Sequence, residues 1–349
     1  MRERAVAASV PAGTVAAMRA PLVIGHRGAP GYRPEHTLSS YELAFASGVD
    51  AVEPDVVASK DGVLIVRHEN EISGTTDVAD RPEFAHLRRR KEVDGVALTG
   101  WFTEDFTWDE LSTLRCRERI PLLRPGSAAH DGEEGMLRLA DLLAAVDAAS
   151  TARGRRIALV LEVKHAAYFA AIGLDLAPLI ESELRAAGWW HADAPLIVES
   201  FEPSVLAQLR EQGVPGSLVQ LVEAEGAPVD LLLSQGADAP AYREMIAPAG
   251  LDRLAGMVDG ISLDKSIVLA PNALGRVTGP SHVVAHAQER GLTVFAWTCR
   301  PENVFLSEQY RSGGEPGRFG DYEAEWAHLR GLDGVFVDHA DLGVAFFRS

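Results

Sequence analysis

The chain has 349 residues, 47% hydrophobic and 24% charged, a globular composition that excludes disorder and fibrous structure. At roughly 150 residues per domain this length allows two domains, or one α/β barrel carrying an insertion. With 33 Lys and Arg against 50 Asp and Glu the formal charge is -17, which repels nucleic acid and anionic membrane surfaces and obliges an anionic substrate to find a local positive site.

In chain order, residues 1 to 20 place Arg2 and Arg4 before an Ala-rich stretch that loosely imitates a signal peptide. Pro11 and Gly13 interrupt it, so it reads as a flexible leader ahead of a folded region at 21–349, with a cytoplasmic location expected and secretion as the alternative. Short apolar, β-branched runs then predict strands at Leu22 to Gly25, Ala51 to Val56, Val63 to Arg67, Ile157 to Val163, Leu196 to Ser200, Leu218 to Leu221, Val258 to Leu263, Thr293 to Trp297 and Gly334 to Val337. Helical patterns lie between them at Thr37 to Ser47, Leu137 to Ala149, Leu174 to Ala187, Pro203 to Glu211 and Ser281 to Arg290. The alternation implies βα units around a parallel sheet. No apolar stretch approaches the ~20 residues that cross a bilayer, so no transmembrane segment is expected.

Only about six residues separate Val56 from Val63, whereas a parallel crossover needs about a dozen, so those runs form a hairpin. Eight parallel strands remain, which fits a (β/α)8 TIM barrel with its chemistry at the C-terminal strand ends, the alternative being an open doubly wound sheet. The segment from His68 to Ile157 exceeds by about 60 residues what one helix and two loops require, which places an insertion at 70–134 after the second strand and its hairpin. Its basic run, His86 to Glu92, reads as a solvated face. The Gly-rich stretch Ser312 to Gly320 has neither dinucleotide-fingerprint nor P-loop spacing and reads as a mobile loop. Cys116 and Cys299 lie far apart without C-x-x-C spacing, so neither a disulfide framework nor a thiolate zinc site is indicated, and the thiol count suits a reducing compartment.

The chemistry gathers at strand ends. The first strand runs into Gly25-His26-Arg27-Gly28, and the second carries Glu53-Pro54-Asp55, whose two carboxylates share a face because strand side chains alternate. A tight turn at Lys60-Asp61-Gly62 pairs residues whose numbers sum to about 122 or 123, which carries His68 back beside Pro54 and Asp55. The strand from Ile157 ends with Glu162 and Lys164 on one face. Each feature alone also suits a solvated loop, a rim ion pair or a hydrogen-bonded structural histidine. Together Glu53, Asp55 and Glu162 offer three oxygen ligands of the hard type that takes Ca²⁺, Mg²⁺ or Mn²⁺. Two histidines, a cation, an arginine and a lysine suit a phosphodiester, because positive groups neutralise the phosphoryl oxygens while imidazoles move protons near neutrality.

These residues resemble the glycerophosphodiester phosphodiesterases, within the phospholipase-C-like phosphodiesterase barrels. The matching motifs are His26-Arg27-Gly28, Pro34-Glu35-His36-Thr37, Glu53-Pro54-Asp55 with Asp61-Gly62, His68, Leu161-Glu162-Val163-Lys164, Phe295-Ala296-Trp297-Thr298 and Asp333-Gly334-Val335-Phe336-Val337-Asp338, spread over about residues 21 to 342. The resemblance implies a (β/α)8 barrel with a family insertion, here Asp77 to Pro125, and hydrolysis of a glycerophosphodiester to glycerol 3-phosphate and an alcohol. By matching position His26 and His68 are the expected acid/base pair, Glu53, Asp55 and Glu162 the metal ligands, Arg27 and Lys164 the phosphate contacts, and Trp297 a lining of the glycerol side. His36 stands where the family more often has Asn, and Glu69 where Asp is common. The long insert with Trp101-Phe102 resembles the calcium-dependent branch, so one divalent cation is expected, Ca²⁺ ahead of Mg²⁺. Two competing readings are a glycoside hydrolase barrel using paired carboxylates and a non-catalytic barrel that binds glycerophosphate groups. The sequence leaves the alcohol and the oligomeric state open.

Overall fold

The structure, a computed structural model, describes residues 20–349, so the expected leader lies outside the described residues apart from Ala20. The strands among them are β1 (Leu22–His26), β2 (Ala51–Glu53), β3 (Asp55–Ala58), β4 (Leu64–Val66), β5 (Arg89–Val93), β6 (Val96–Gly100), β7 (Ala158–Val163), β8 (Leu196–Ser200), β9 (Ser217–Val222), β10 (Gly260–Asp264), β11 (Thr293–Cys299) and β12 (Gly334–Val337).

Pairing decides between the barrel and the open sheet. β1 lies parallel to β2 on one side and to β12 on the other. From β12 the parallel pairing runs on through β11, β10, β9 and β8 to β7. β7 pairs with β2 at Ala51↔Ala158 and with β3 at Asp55↔Glu162, one unbroken register. β2 and β3 are therefore a single barrel strand interrupted at Pro54, which has no N–H to give to a ladder. Eight parallel strands close on themselves, and the doubly wound alternative is excluded. β4 pairs antiparallel with β3 at Val56↔Val66, Val57↔Ile65 and Ala58↔Leu64, numbers that sum to 122 as the turn geometry requires.

Helices cover the outside. The helix Leu38–Ser47 starts where Thr37 accepts a hydrogen bond from the Ser40 N–H and stops at Gly48, whose φ of 96° a side chain would resist. Leu139–Arg153 runs past its predicted end to Gly154, again at positive φ, because nothing before that glycine halts it. Leu176–Ala186, Pro203–Glu211 and His282–Gln288 fall within their predicted spans. Val229–Gln235, Pro248–Leu254 and Ala340–Phe347 were not predicted.

Between Val66 and Leu139 the chain makes an excursion that leaves and returns at one point: the Val66 N–H donates to the Leu137 carbonyl at 2.9 Å and Ile65 bridges Arg138. It contains the β5–β6 hairpin, which the polar sequence did not announce, and the basic run lies mostly exposed on β5. The excursion has no separate core. Phe84, Trp101, Phe106, Leu111, Leu114 and Cys116 are buried in the cluster that also holds the barrel's outer face. The Gly-rich loop at 312–320 is tethered, since the Asn303 side chain bonds the backbone of Ser312 and Glu315.

A second apolar cluster, Ile24, Ala51, Val160, Val219, Phe295 and Phe336 with Ile197 against it, fills the barrel interior. Strand side chains repeat every two residues, so the next inward positions toward the C-terminal ends are His26, Glu53, Glu162, Trp297, Asp338 and Glu199. An apolar floor thus supports a polar layer directly above it.

Candidate active site

That layer faces a cavity of about 630 Å³ whose lining includes His26, Arg27, Glu53, His68, Glu162, Lys164, Glu199 and Trp297. β1 delivers His26 at its last position, after which the chain turns sharply. Arg27 and His36 have φ of 53° and 59°, a region non-glycine residues seldom occupy. The turn is fixed by the Arg27 N–H, which donates to both the carbonyl and the side chain of Glu53 at 2.9 Å, and by the Arg27 carbonyl, which accepts from His36 and Ser40. The sequence neighbours His26 and Arg27 thereby reach separate partners.

Glu53, Asp55 and Glu162 are buried and bring ligand oxygens within 4.8 Å of one another. Asp55 Oδ2 lies 2.8 Å from His36 Nε2 and 3.4 Å from Arg27 Nε, whereas its Oδ1 has Lys164 Nζ at 3.2 Å but no hydrogen-bond partner. Burial opposes its ionisation, but Lys164, His68 and Arg27 outweigh burial and hold it well below the carboxylate range. Glu53 is pushed well above that range by burial first and then by the charges of Asp55 and Glu162, and its Oε1 has no hydrogen-bond partner. Burial also raises Glu162 to about 8, against the ammonium of Lys164 at 2.5 Å. Two buried carboxyls forced toward the protonated state beside an ionised one, with an orphaned oxygen among them, fit a hard divalent cation. Lys164 reaches two of the three carboxylates, Asp55 and Glu162.

Each histidine has a carboxylate behind it. His26 Nδ1 lies 2.7 Å from Asp338, and His68 Nδ1 lies 2.5 Å from Glu69. An ionised carboxylate only accepts, so both rings carry hydrogen on Nδ1 and leave Nε2 as the basic nitrogen. Burial first, and Arg27 second, lower His26 to about 4 and His68 to about 3. The structure brings all eight expected residues to this one cavity or its wall: Asp55 lies immediately behind, and Trp297 is oriented by its indole N–H on the Ser262 carbonyl at 3.2 Å and edge-on to Phe201.

Residues outside the expected set also belong here. Glu199, buried on β8 and register-paired with Glu162, is raised by burial and then by Glu162 and Asp55. The reasoning that singled out Glu162 at a strand end applies equally to Glu199 in Leu196-Ile197-Val198-Glu199-Ser200. Arg119, Arg124 and Arg300 contact the carboxylates that hold the histidines, and no local pattern marks them. His36 and Tyr41 form a buried chain to Asp55 and Glu53.

Residues 26–342 match the family model described as the glycerophosphoryl diester phosphodiesterase family. The chain is 30% identical over 332 residues to Glycerophosphodiester phosphodiesterase GDPD6 of Arabidopsis thaliana, covering 91% of this chain and 83% of that one. It is 28% identical to Glycerophosphodiester phosphodiesterase of Treponema pallidum, covering 93% and 91%. Among solved structures, the fold is similar to a glycerophosphoryl diester phosphodiesterase of Silicibacter pomeroyi (TM-score 0.64, 22% identity, 94% and 93% covered). It is also similar to a phosphodiesterase of Oleispira antarctica in complex with the product sn-glycerol-3-phosphate (TM-score 0.61, 20% identity, 94% and 97% covered). With the match running through the strand ends that carry the cavity, this chain belongs to the glycerophosphoryl diester phosphodiesterase family.

Proposed function

We propose that the protein hydrolyses glycerophosphodiesters to glycerol 3-phosphate and an alcohol, with His26 and His68 as the acid/base pair. The observation that carries this reading is that two imidazoles, each with Nδ1 tied to a carboxylate, line the same cavity as Arg27, Lys164 and the Glu53, Asp55 and Glu162 cluster. Water adds to phosphorus as the phosphorus–alkoxide bond breaks. One Nε2 takes the proton from the attacking water and the other supplies a proton to the departing alcohol. With both imidazoles depressed by burial and by Arg27, both are neutral at pH 7 in the protein alone. A phosphodiester anion seated against Arg27 and Lys164 offsets that positive charge and raises the nearest imidazole, the condition for one ring to act as acid. Trp297 is assigned to the apolar face of the glycerol unit.

Glu53, Asp55 and Glu162 would hold the divalent cation, Ca²⁺ ahead of Mg²⁺, which when bound supplies charge neutralisation at the phosphoryl oxygens. Two free, buried cysteines support the cytoplasmic assignment, which fractionation tests directly. Activity is tested with a panel of glycerophosphodiesters on metal-stripped protein, with Ca²⁺, Mg²⁺ and Mn²⁺ restored separately and aryl glycosides as the contrast. Release of glycerol 3-phosphate is expected. Turnover of glycosides instead, or full activity in excess chelator, would overturn the reading.

A further inference from the structure

The carboxylates behind the two histidines are themselves held, and by the same short piece of chain. Glu69 accepts from Arg119 through both oxygens, Nη1 at 2.7 Å and Nη2 at 2.5 Å. Arg119 is anchored in turn by Glu35, at 2.8 Å from Nε and 2.6 Å from Nη2, and Glu35 also accepts from Arg27 at 3.0 Å. On the opposite side Asp338 gives one oxygen to His26 and the other to two guanidinium groups, Arg124 Nη2 and Arg300 Nε, each at 2.6 Å. Arg124 is anchored by Glu302 at 2.7 Å. Arg119 and Arg124 flank one turn of the excursion, closed by the Leu123 and Arg124 N–H groups on the Ile120 carbonyl. The turn is fixed from beneath by Glu118, which accepts from the Ile120 N–H at 2.8 Å and from Ser127.

We propose that this turn is a double clamp: Arg119 acting through Glu69, and Arg124 acting through Asp338, set the orientation and the Nδ1–H tautomer of both His68 and His26. The inference rests on the assignment of these histidines as the acid/base pair. Arg119 and Arg124 are positioning residues, since neither touches a histidine. A histidine whose Nδ1 lacks a fixed acceptor divides between tautomers and rotates, and only one arrangement presents a basic Nε2 to the substrate. Glu69, gripped at both oxygens by the planar guanidinium of Arg119, cannot rotate away, a bidentate grip that distinguishes arginine from lysine, whereas Asp338 is held at one oxygen by two guanidinium groups. The two arms are unequal. Arg300 backs Arg124 on Asp338, whereas Arg119 alone among the described residues grips Glu69, and His68 is the more exposed ring. The His68 arm is therefore the more sensitive one.

Double-mutant cycles with tautomer spectroscopy test this. Arg119→Ala should lower kcat about 10-fold to 100-fold with KM changed by less than about 3-fold, and Arg119→Lys should restore part of the loss. Arg119→Ala combined with Glu69→Ala should be no worse than Glu69→Ala alone, because the arginine acts through the glutamate. Arg124→Ala should cost less, with Arg300 remaining, and its loss should be non-additive with Asp338→Ala. The imidazole nitrogen resonances of ¹⁵N-histidine-labelled protein should show the Nδ1–H form for both rings in the native chain, and a tautomer mixture at His68 alone in Arg119→Ala. That reading needs no turnover, so a failure of the hydrolase assignment stays distinguishable from a failure of the clamp. Additive losses in the Arg119/Glu69 cycle, or an unchanged His68 tautomer in Arg119→Ala with the fold intact by circular dichroism, would refute it.

Discussion

Cation binding should displace protons, and the number can be worked from the three carboxyls. With Glu162 raised to about 8, most molecules carry its proton at pH 7. Glu53 lies well above its ordinary value and also arrives protonated, whereas Asp55 is already ionised. A cation requires all three as carboxylates, so binding at pH 7 should release between one and two protons. The sign follows. Protons compete with the metal, so affinity rises with pH, by between one and two decades per unit from pH 6 to 7, or about 1.4 to 2.8 kcal/mol. The Glu162 share of that slope fades above about pH 8. Calorimetric titration of chelator-stripped protein with Ca²⁺ in two buffers of different ionisation enthalpy counts the protons. Glu162→Gln should bind more weakly but lose about one decade per pH unit of slope. A pH-independent affinity between pH 6 and 8, or a slope unaltered by Glu162→Gln, would refute this account of the buried cluster.

Replacing His26 or His68 with Ala should reduce kcat by about 10²-fold to 10⁴-fold with the thermal transition unchanged, measured by glycerol 3-phosphate release. Asp55→Asn keeps the side-chain shape but loses a ligand charge, so activity should recover only at raised metal concentration, as a metal titration of rate will show. Trp297→Ala should raise KM more than it lowers kcat if the indole packs on glycerol. Gly28→Ala should destabilise by about 2 to 4 kcal/mol in denaturant melts, from an unfavourable backbone region plus a collision. Its φ is 94° and a new Cβ would lie 2.5 Å from Ser40 Oγ.

The barrel was legible because its strands are buried on both faces and read as apolar runs bounded by polar residues. Connection length then removed one run from the barrel, and that step also located His68. The β5–β6 hairpin was hidden because Arg89-Arg90-Lys91-Glu92 is charged throughout and lacks apolar alternation, with Arg89, Arg90 and Glu92 exposed and Lys91 turned onto Glu104 and Asp105. The carboxylate cluster could be read because period two is a local rule, but the partners of the histidines could not. Asp338 lies 312 residues from His26, and Arg119 lies 50 residues from Glu69. Only closure of the barrel and the path of the excursion bring such pairs together, and neither has a sequence period.

The point at which the excursion departs has an evolutionary consequence. Its two ends are zipped to each other at Val66 and Leu137, on a hairpin arm that lies outside the ring of eight strands. Length can therefore be gained or lost there without moving any barrel strand, and loop-closure entropy grows only slowly with added residues. A segment joined at this stem varies independently of the scaffold, yet it carries Arg119 and Arg124 onto Glu69 and Asp338, the carboxylates behind the two histidines. A change of length or sequence in this segment would therefore reach the carboxylates behind the imidazoles while leaving in place the barrel strands that carry Glu53, Asp55 and Glu162.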